Sequence, residues 1–231
     1  MASSIIVFDL DGTLVDTAPD LIDSLNHCLA LAGLEPVRGA RLKQDVSFGS
    51  RVMLERAFAR QRRPLPVAEL DRLQAVFLDH YAASMPGRSQ PFPGAVAALE
   101  RFAAAGFTVA VCTNKLEGMS RRLLGALGLA ERFAAICGAD TFAFRKPDPR
   151  HLTATVAQAG ADAGRAVMVG DSRTDIDTAR AAGIPVVAVD FGYTDLPVRH
   201  FEPSRVISHY DELTVAMAER LIAEGGPQQP A

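Results

Sequence analysis

Residues Val7–Thr17 read VFDLDGTLVDT, an apolar run that ends in two aspartates, Asp9 and Asp11, with one leucine between them. In an extended chain residues i and i+2 point to the same side, so the two carboxylates emerge as neighbours where the strand ends. Like charges placed this way disfavour each other's ionisation. A fold gains nothing from that repulsion, whereas a divalent cation or a proton in transfer would use it. The stretch therefore reads as a buried strand that delivers two carboxylates to a site.

Strands of the same kind recur along the chain. SIIVFD, FTVAVCT, RFAAICG, AVMVGD and PVVAVD are short, apolar and rich in Val, Ile and Phe. Such continuity marks strands buried on both faces of a parallel sheet. Between them GAVAALERFAAAG, EGMSRRLLGALGL, HLTATVAQAG and TDIDTARAAG carry helical periodicity, several closing on Gly. The alternation predicts an α/β fold, a doubly wound parallel sheet with a Rossmann-like core. In such sheets ligands bind outside the carboxyl ends of the strands, where Asp9 and Asp11 emerge.

Residues 18–86 break the alternation. PDLIDSLNHCLALAGL, SRVMLERAFARQ and VAELDRLQAVFLDHYAASM all read as amphipathic helices. This predicts an all-helical unit of residues 17–86 inserted into a core made of residues 1–16 and 87–231, with the sheet resuming at PFPG (91–94). Crossings near 16–19 and 83–93 would serve as hinges, making the helical unit a mobile lid. The tail GGPQQPA reads as disordered.

Composition narrows the function classes. The 231 residues are 48% hydrophobic and 22% charged, with a net charge of -3, so no overall basic surface invites nucleic acid. The start MASSIIVFDL lacks the basic and long apolar regions of a secretion signal. No apolar run approaches the ~20 residues that span a bilayer. The expectation is a cytoplasmic protein without a membrane or nucleic-acid partner. Cys28, Cys112 and Cys137 show no metal-ligand spacing and read as small buried hydrophobes in a reducing compartment. The five histidines likewise lack ligand spacing and read as structural or surface residues. Of 24 basic side chains only Lys43, Lys115 and Lys146 are lysine, so a lysine here marks a place where a compact ammonium is wanted.

Three further polar clusters follow later strands. VAVCTNK ends in Thr113, Asn114 and Lys115; FRKPDP sets Lys146 before a proline; VMVGDSRTDID carries Asp171 and Asp175 into a helix. Singly, these read as a turn, a stiffened loop and helix-capping acids. Together they assemble phosphoryl-transfer chemistry. Asp9 can attack phosphorus to give an aspartyl-phosphate that water later breaks. Asp11 can protonate the leaving oxygen and then activate that water. Mg²⁺ is held by one or two carboxylates plus substrate phosphate. Asp9 and Asp171 supply such ligands, with Asp175 beside them or just behind. Thr113 and the backbone N–H of Asn114 can hold phosphate oxygens, while Lys146 offsets negative charge. Asp16 and Asp177 lie near these motifs, and capping and solvation account for them.

DLDGTLVDT, TNK, KPDP and GDSRTDID, in this order, resemble the four signatures of the haloacid dehalogenase superfamily of phosphatases. The resemblance spans nearly the whole chain, and the helical interval resembles that superfamily's cap. It implies the same roles for Asp9, Asp11, Thr113, Lys146, Asp171 and Asp175, and a metal ligand in the backbone carbonyl of Asp11. It also implies hydrolysis of phosphate esters and not dehalogenation, because dehalogenases there lack the second aspartate of the first motif.

Within the superfamily, FPGAVAALERFAAAGFTVAVCTNK and GDSRTDIDTARAAGIPVVAVDFGYTD most resemble phosphoglycolate phosphatases. The implied substrate is a small phosphate ester, 2-phosphoglycolate, handled by a monomer or homodimer. FGSRVMLERAF resembles that family's GNGAR segment, but Ser47 and Phe48 stand where Gly and Asn are usual. Arg51 keeps the family's arginine, whose fork could take the substrate carboxylate. Its alternative is an ordinary surface arginine. Lys115 reads equally as a second cation at the site or as a solvent-facing loop residue. A phosphomutase such as β-phosphoglucomutase would share all four motifs, and another ester or pyrophosphate would fit them. A metabolite-sensing module is the remaining alternative, although it has no need of Asp11.

Overall fold

The computed structural model describes residues 3–38 and 41–225. At its centre lies β1 (Ile5–Phe8), four apolar residues without solvent exposure. Burying each such side chain stabilises by roughly 1.5–3 kcal/mol. The burial is possible because β1 is paired on both edges and covered on both faces. It runs parallel to β4 (Thr108–Cys112) on one side and to β6 (Ala166–Gly170) on the other. β5 (Ala135–Cys137) continues the sheet beyond β4, while β7 (Val186–Val189) and β8 (Arg205–Ile207) continue it beyond β6, all parallel.

Alternation along β1 splits the core in two. Ile6 and Phe8 face a cluster closed by α5 (Ala95–Ala104), α6 (Glu117–Ala126) and α9 (Val215–Gly225). Ile5 and Val7 face another, closed by α7 (Pro149–Gln158) and α8 (Arg173–Ala181). Strand order reverses at β1, so a crevice opens where β4, β1 and β6 end side by side. Residues 9–11, 113–115 and 171–175, far apart in sequence, meet there.

Between β2 (Val15–Asp16) and β3 (Gln90–Pro91) the chain builds α1 (Ala18–Leu31), α2 (Arg41–Val46), α3 (Gly49–Arg60) and α4 (Val67–Ser84). These helices share their own apolar cluster, with Leu25, Leu29, Met53, Leu54, Phe58, Leu73, Phe77 and Tyr81 inside. β2 and β3 pair antiparallel and form the two crossings. They are pinned by Asp20 in the first turn of α1, which is buried and accepts from the backbone N–H of Arg88 (2.9 Å) and of Ser89 (2.7 Å). The Ser89 hydroxyl donates to the same carboxylate.

The architecture is the predicted doubly wound parallel sheet, with differences in detail. PFPG does not resume the main sheet; Gln90–Pro91 pairs with β2, and the sheet resumes at Thr108. RFAAICG yields only the three residues of β5, preceded by a 3-10 turn at Ala130–Arg132. β8, α2 and α9 were not anticipated. β8 is a three-residue edge strand with an exposed arginine, too short and too polar to signal. Residues 226–231 of the GGPQQPA tail lie outside the described residues. Cys28, Cys112 and Cys137 are buried free thiols. No helix among the described residues is long and apolar enough to cross a membrane.

Candidate active site

The floor of the crevice is built from strand ends. Asp9 continues β1: its N–H donates to the Val169 carbonyl (2.9 Å), and its Oδ1 accepts from the N–H of Leu10 (2.7 Å). Asp171 follows β6 and accepts from the Thr13 hydroxyl (3.0 Å) and the N–H of Tyr193 (2.7 Å). Asp175 sits in the first turn of α8, where it closes a capping box with Ser172 (2.6 Å from the hydroxyl). Lys146 reaches in from the KPDP loop, its Nζ 3.0 Å from Asp9 and 2.6 Å from Asp175. One oxygen each of Asp9, Asp171 and Asp175 lies within 4.8 Å of the others.

Two glycines make this approach possible. A Cβ on Gly192 would lie 2.2 Å from the Cβ of Asp171. Gly12 has φ +82°, a region L side chains rarely adopt, and its Cβ would lie 2.5 Å from Asp171 Oδ2.

The Lys146 ammonium pairs with Asp9 and Asp175, and burial together with the crowded charges shifts Asp9 and Asp171. Burial raises Asp9 to about 6; Lys146 opposes the shift, and Asp175 and Asp11 add to it. Asp171 is pushed well above the usual carboxylate range by burial and by the charges of Asp175 and Asp9. Burial works against a charged Lys146, but Asp175 and Asp9 outweigh it and hold the ammonium protonated. An all-oxygen donor set with excess negative charge suits a hard divalent cation.

The sequence-predicted residues converge on this floor. Thr113 follows β4, is 2% exposed, and is tied by its N–H to the Cys137 carbonyl (3.0 Å). The Asn114 side chain donates to the Lys146 carbonyl (2.9 Å), bracing the lysine loop. Lys115 does not face solvent. Its Nζ bonds Asp11 (3.1 Å) and the Tyr81 hydroxyl on α4 (3.0 Å). Burial would lower the Lys115 pKa, but Asp11 and Tyr81 outweigh it and raise it. Asp11 also accepts from Thr17 (2.6 Å). Asp16 does more than capping and solvation imply, because it accepts from the Tyr193 hydroxyl (2.5 Å). Asp177 pairs with Arg173 (3.1 Å) on the surface.

Above the floor is a cavity of about 590 Å³ whose opposite wall comes from the helical insert, including Phe48, Arg51, Phe77 and Tyr81. The Arg51 guanidinium lines this cavity yet is engaged by Asp71 (2.5 Å) and Gln74 (3.1 Å). No histidine lines it. His151 is buried beneath, its Nδ1 accepting from the backbone N–H of Lys146 (3.2 Å).

Sequence reasoning missed Thr13, Tyr81, Arg145 and Tyr193. Thr13 and Tyr193 lie within quoted motifs, and Arg145 stands next to Lys146. Tyr81 carried no signal, since aromatic residues on an amphipathic helix read as core.

Residues 6–189 match the family model described as haloacid dehalogenase-like hydrolase. A phosphoglycolate phosphatase of Mesorhizobium japonicum is 64% identical over 226 residues, covering 98% of this chain and all of that protein. Another from Agrobacterium fabrum is 51% identical over 223 residues, 96% of each chain. The crystal structure of a predicted phosphoglycolate phosphatase from Haemophilus somnus superposes with a TM-score of 0.84 at 26% identity, covering 91% of this chain and 96% of that one. The chain belongs to the haloacid dehalogenase-like hydrolases.

Proposed function

We propose that the protein is a magnesium-dependent phosphatase that hydrolyses 2-phosphoglycolate to glycolate and phosphate through an aspartyl-phosphate on Asp9. The observation that carries this reading is the convergence of Asp9, Asp171 and Asp175 to within 4.8 Å, with Lys146 bonded to Asp9 and Asp11 in the same cavity. The substrate rests on the relatives named phosphoglycolate phosphatase, at 64% and 51% identity over nearly the whole chain.

Asp9, Asp171 and the backbone carbonyl of Asp11 would hold Mg²⁺. Asp175, whose oxygens already accept Lys146 and Ser172, supports from behind. When bound, the ion offsets phosphate charge and polarises the phosphorus. Thr113 and the backbone N–H of Asn114 hold phosphate oxygens, and Lys146 balances charge as it passes to Asp9. Asp9 attacks phosphorus while Asp11 gives its proton to the departing glycolate oxygen. Asp11 then takes a proton from water, which attacks the phosphorus and frees Asp9. Residues 17–86 act as a cap that closes on its two crossings and excludes bulk water.

The test is kcat/KM with Mg²⁺ over 2-phosphoglycolate, β-glucose 1-phosphate, pyrophosphate and several sugar phosphates, with Asp9→Asn as control. A clear preference for 2-phosphoglycolate and an inactive control are expected. Equal rates across the panel would sink the substrate reading, and an active control would sink the mechanism.

A further inference from the structure

Resting on the substrate reading above, we propose that Arg145 is the specificity residue that binds the carboxylate of the leaving group. Once its phosphate is seated, 2-phosphoglycolate still carries a carboxylate that needs a cation. Among the described residues, four cationic side chains line the cavity: Arg51, Lys115, Arg145 and Lys146. Three are already committed. Lys146 is held between Asp9 and Asp175. Lys115 is held by Asp11 and Tyr81. Arg51 is held by Asp71 and Gln74, so recruiting it means breaking an existing pair.

Arg145 differs. Among the described residues its guanidinium has no hydrogen bond, ion pair or ring contact. The nearest acid in sequence, Asp148, is engaged by Arg150 (2.6 Å). The backbone around Arg145 is nonetheless fixed: its carbonyl accepts from the N–H of Asp148 (2.9 Å), and the next carbonyl accepts from Asn114. A free fork on an anchored loop, adjacent to the lysine on Asp9, can take a carboxylate bidentately without surrendering another partner. Phe48, Leu116 and Met119 add apolar surface to the lining, and its acids Asp9, Asp11 and Asp171 belong to the floor.

The experiment compares 2-phosphoglycolate with 2-hydroxyethyl phosphate, which replaces the carboxylate by a neutral alcohol, for the unmodified enzyme and for Arg145→Gln, Arg145→Lys and Arg51→Gln. Arg145 is exposed, and its side chain makes no contact whose loss would unfold the protein. The ratio of kcat/KM between the two esters should fall at least tenfold in Arg145→Gln, through KM for 2-phosphoglycolate. Arg145→Lys should recover part of it, and Arg51→Gln should lower it less than Arg145→Gln does. An Arg145→Gln ratio within twofold of the unmodified enzyme overturns the assignment while the substrate reading stands. Arg51→Gln lowering the ratio more than Arg145→Gln overturns it in favour of Arg51. An unmodified enzyme that does not distinguish the esters overturns the substrate reading, and the assignment falls with it.

Discussion

Replacing Asp20 by alanine should loosen the two crossings of the helical insert and cost about 2 kcal/mol of stability. The figure follows from the donors left behind. Ser89, 5% exposed, loses the acceptor of its hydroxyl while its N–H keeps the Pro86 carbonyl (2.9 Å), and Arg88 loses the acceptor of its N–H. A buried donor without a partner costs about 1–3 kcal/mol, and the Arg88 N–H, whose bond is only part-buried, costs less. Asp20→Asn keeps one acceptor oxygen and should cost about half as much. Asp23 is the internal control. Its pair with Arg88 joins side chains 53% and 63% exposed, so Asp23→Ala should change stability by less than about 1 kcal/mol. Urea unfolding monitored by circular dichroism gives all three values. Amide exchange should locate the loss: the Arg88 amide, bonded only to Asp20 among the described residues, should be protected in the unmodified protein and exchange faster in Asp20→Ala. Equal costs for Asp20→Ala and Asp23→Ala, or unchanged protection of the Arg88 amide in Asp20→Ala, would refute the reasoning.

Three other outcomes can be checked. Chelation should abolish turnover and Mg²⁺ should restore it. Added Mg²⁺ should raise Tm in the unmodified protein but not in Asp171→Asn, read by calorimetry. Gly192→Ala drives a methyl group against Asp171, so activity should fall at least a hundredfold while stability drops by about 1–3 kcal/mol, seen by urea unfolding. Burial and the charge of Lys146 lower the His151 pKa from 6.5 to about 4. The unfolded chain therefore takes up the proton first as pH falls below 6.5, and the histidine's contribution is lost progressively down to pH 4. Between pH 7 and pH 5 this should cost about 2 kcal/mol, a slope that His151→Gln should lack in urea titrations at the two pH values.

The central strands were legible because burial on both faces leaves no room for polar residues, so IIVF and its counterparts announce themselves. The floor of the site was legible for a related reason. A carboxylate at the end of an apolar strand is conspicuous, and Asp9 and Asp171 are both of that kind. What escaped was whatever depends on contacts between distant segments. Nothing local indicates that Tyr81 on α4 meets Lys115, or that Asp20 holds the backbone of Arg88 and Ser89. Arg51 kept its motif position, but the acid that engages it sits on another helix. The short edge strand β8 lacks the apolar run that marks its neighbours.

The pairing of β1 also bears on the order in which the protein can come into being. Ile5 leaves the ribosome well before its partners Thr108 and Ala166. Until Thr108–Cys112 is made a fully apolar strand has neither neighbour to pair with, and pairings this distant form slowly. The helical insert draws every buried residue of its cluster except Tyr193 from residues 18–81 and can settle much earlier. The nascent chain thus carries a finished roof over an unbuilt floor, with its most adhesive segment exposed until the residues after 166 emerge. Aggregation during expression should therefore be governed by Ile5–Phe8, and the delay before β6 appears is the interval in which a chaperone matters most.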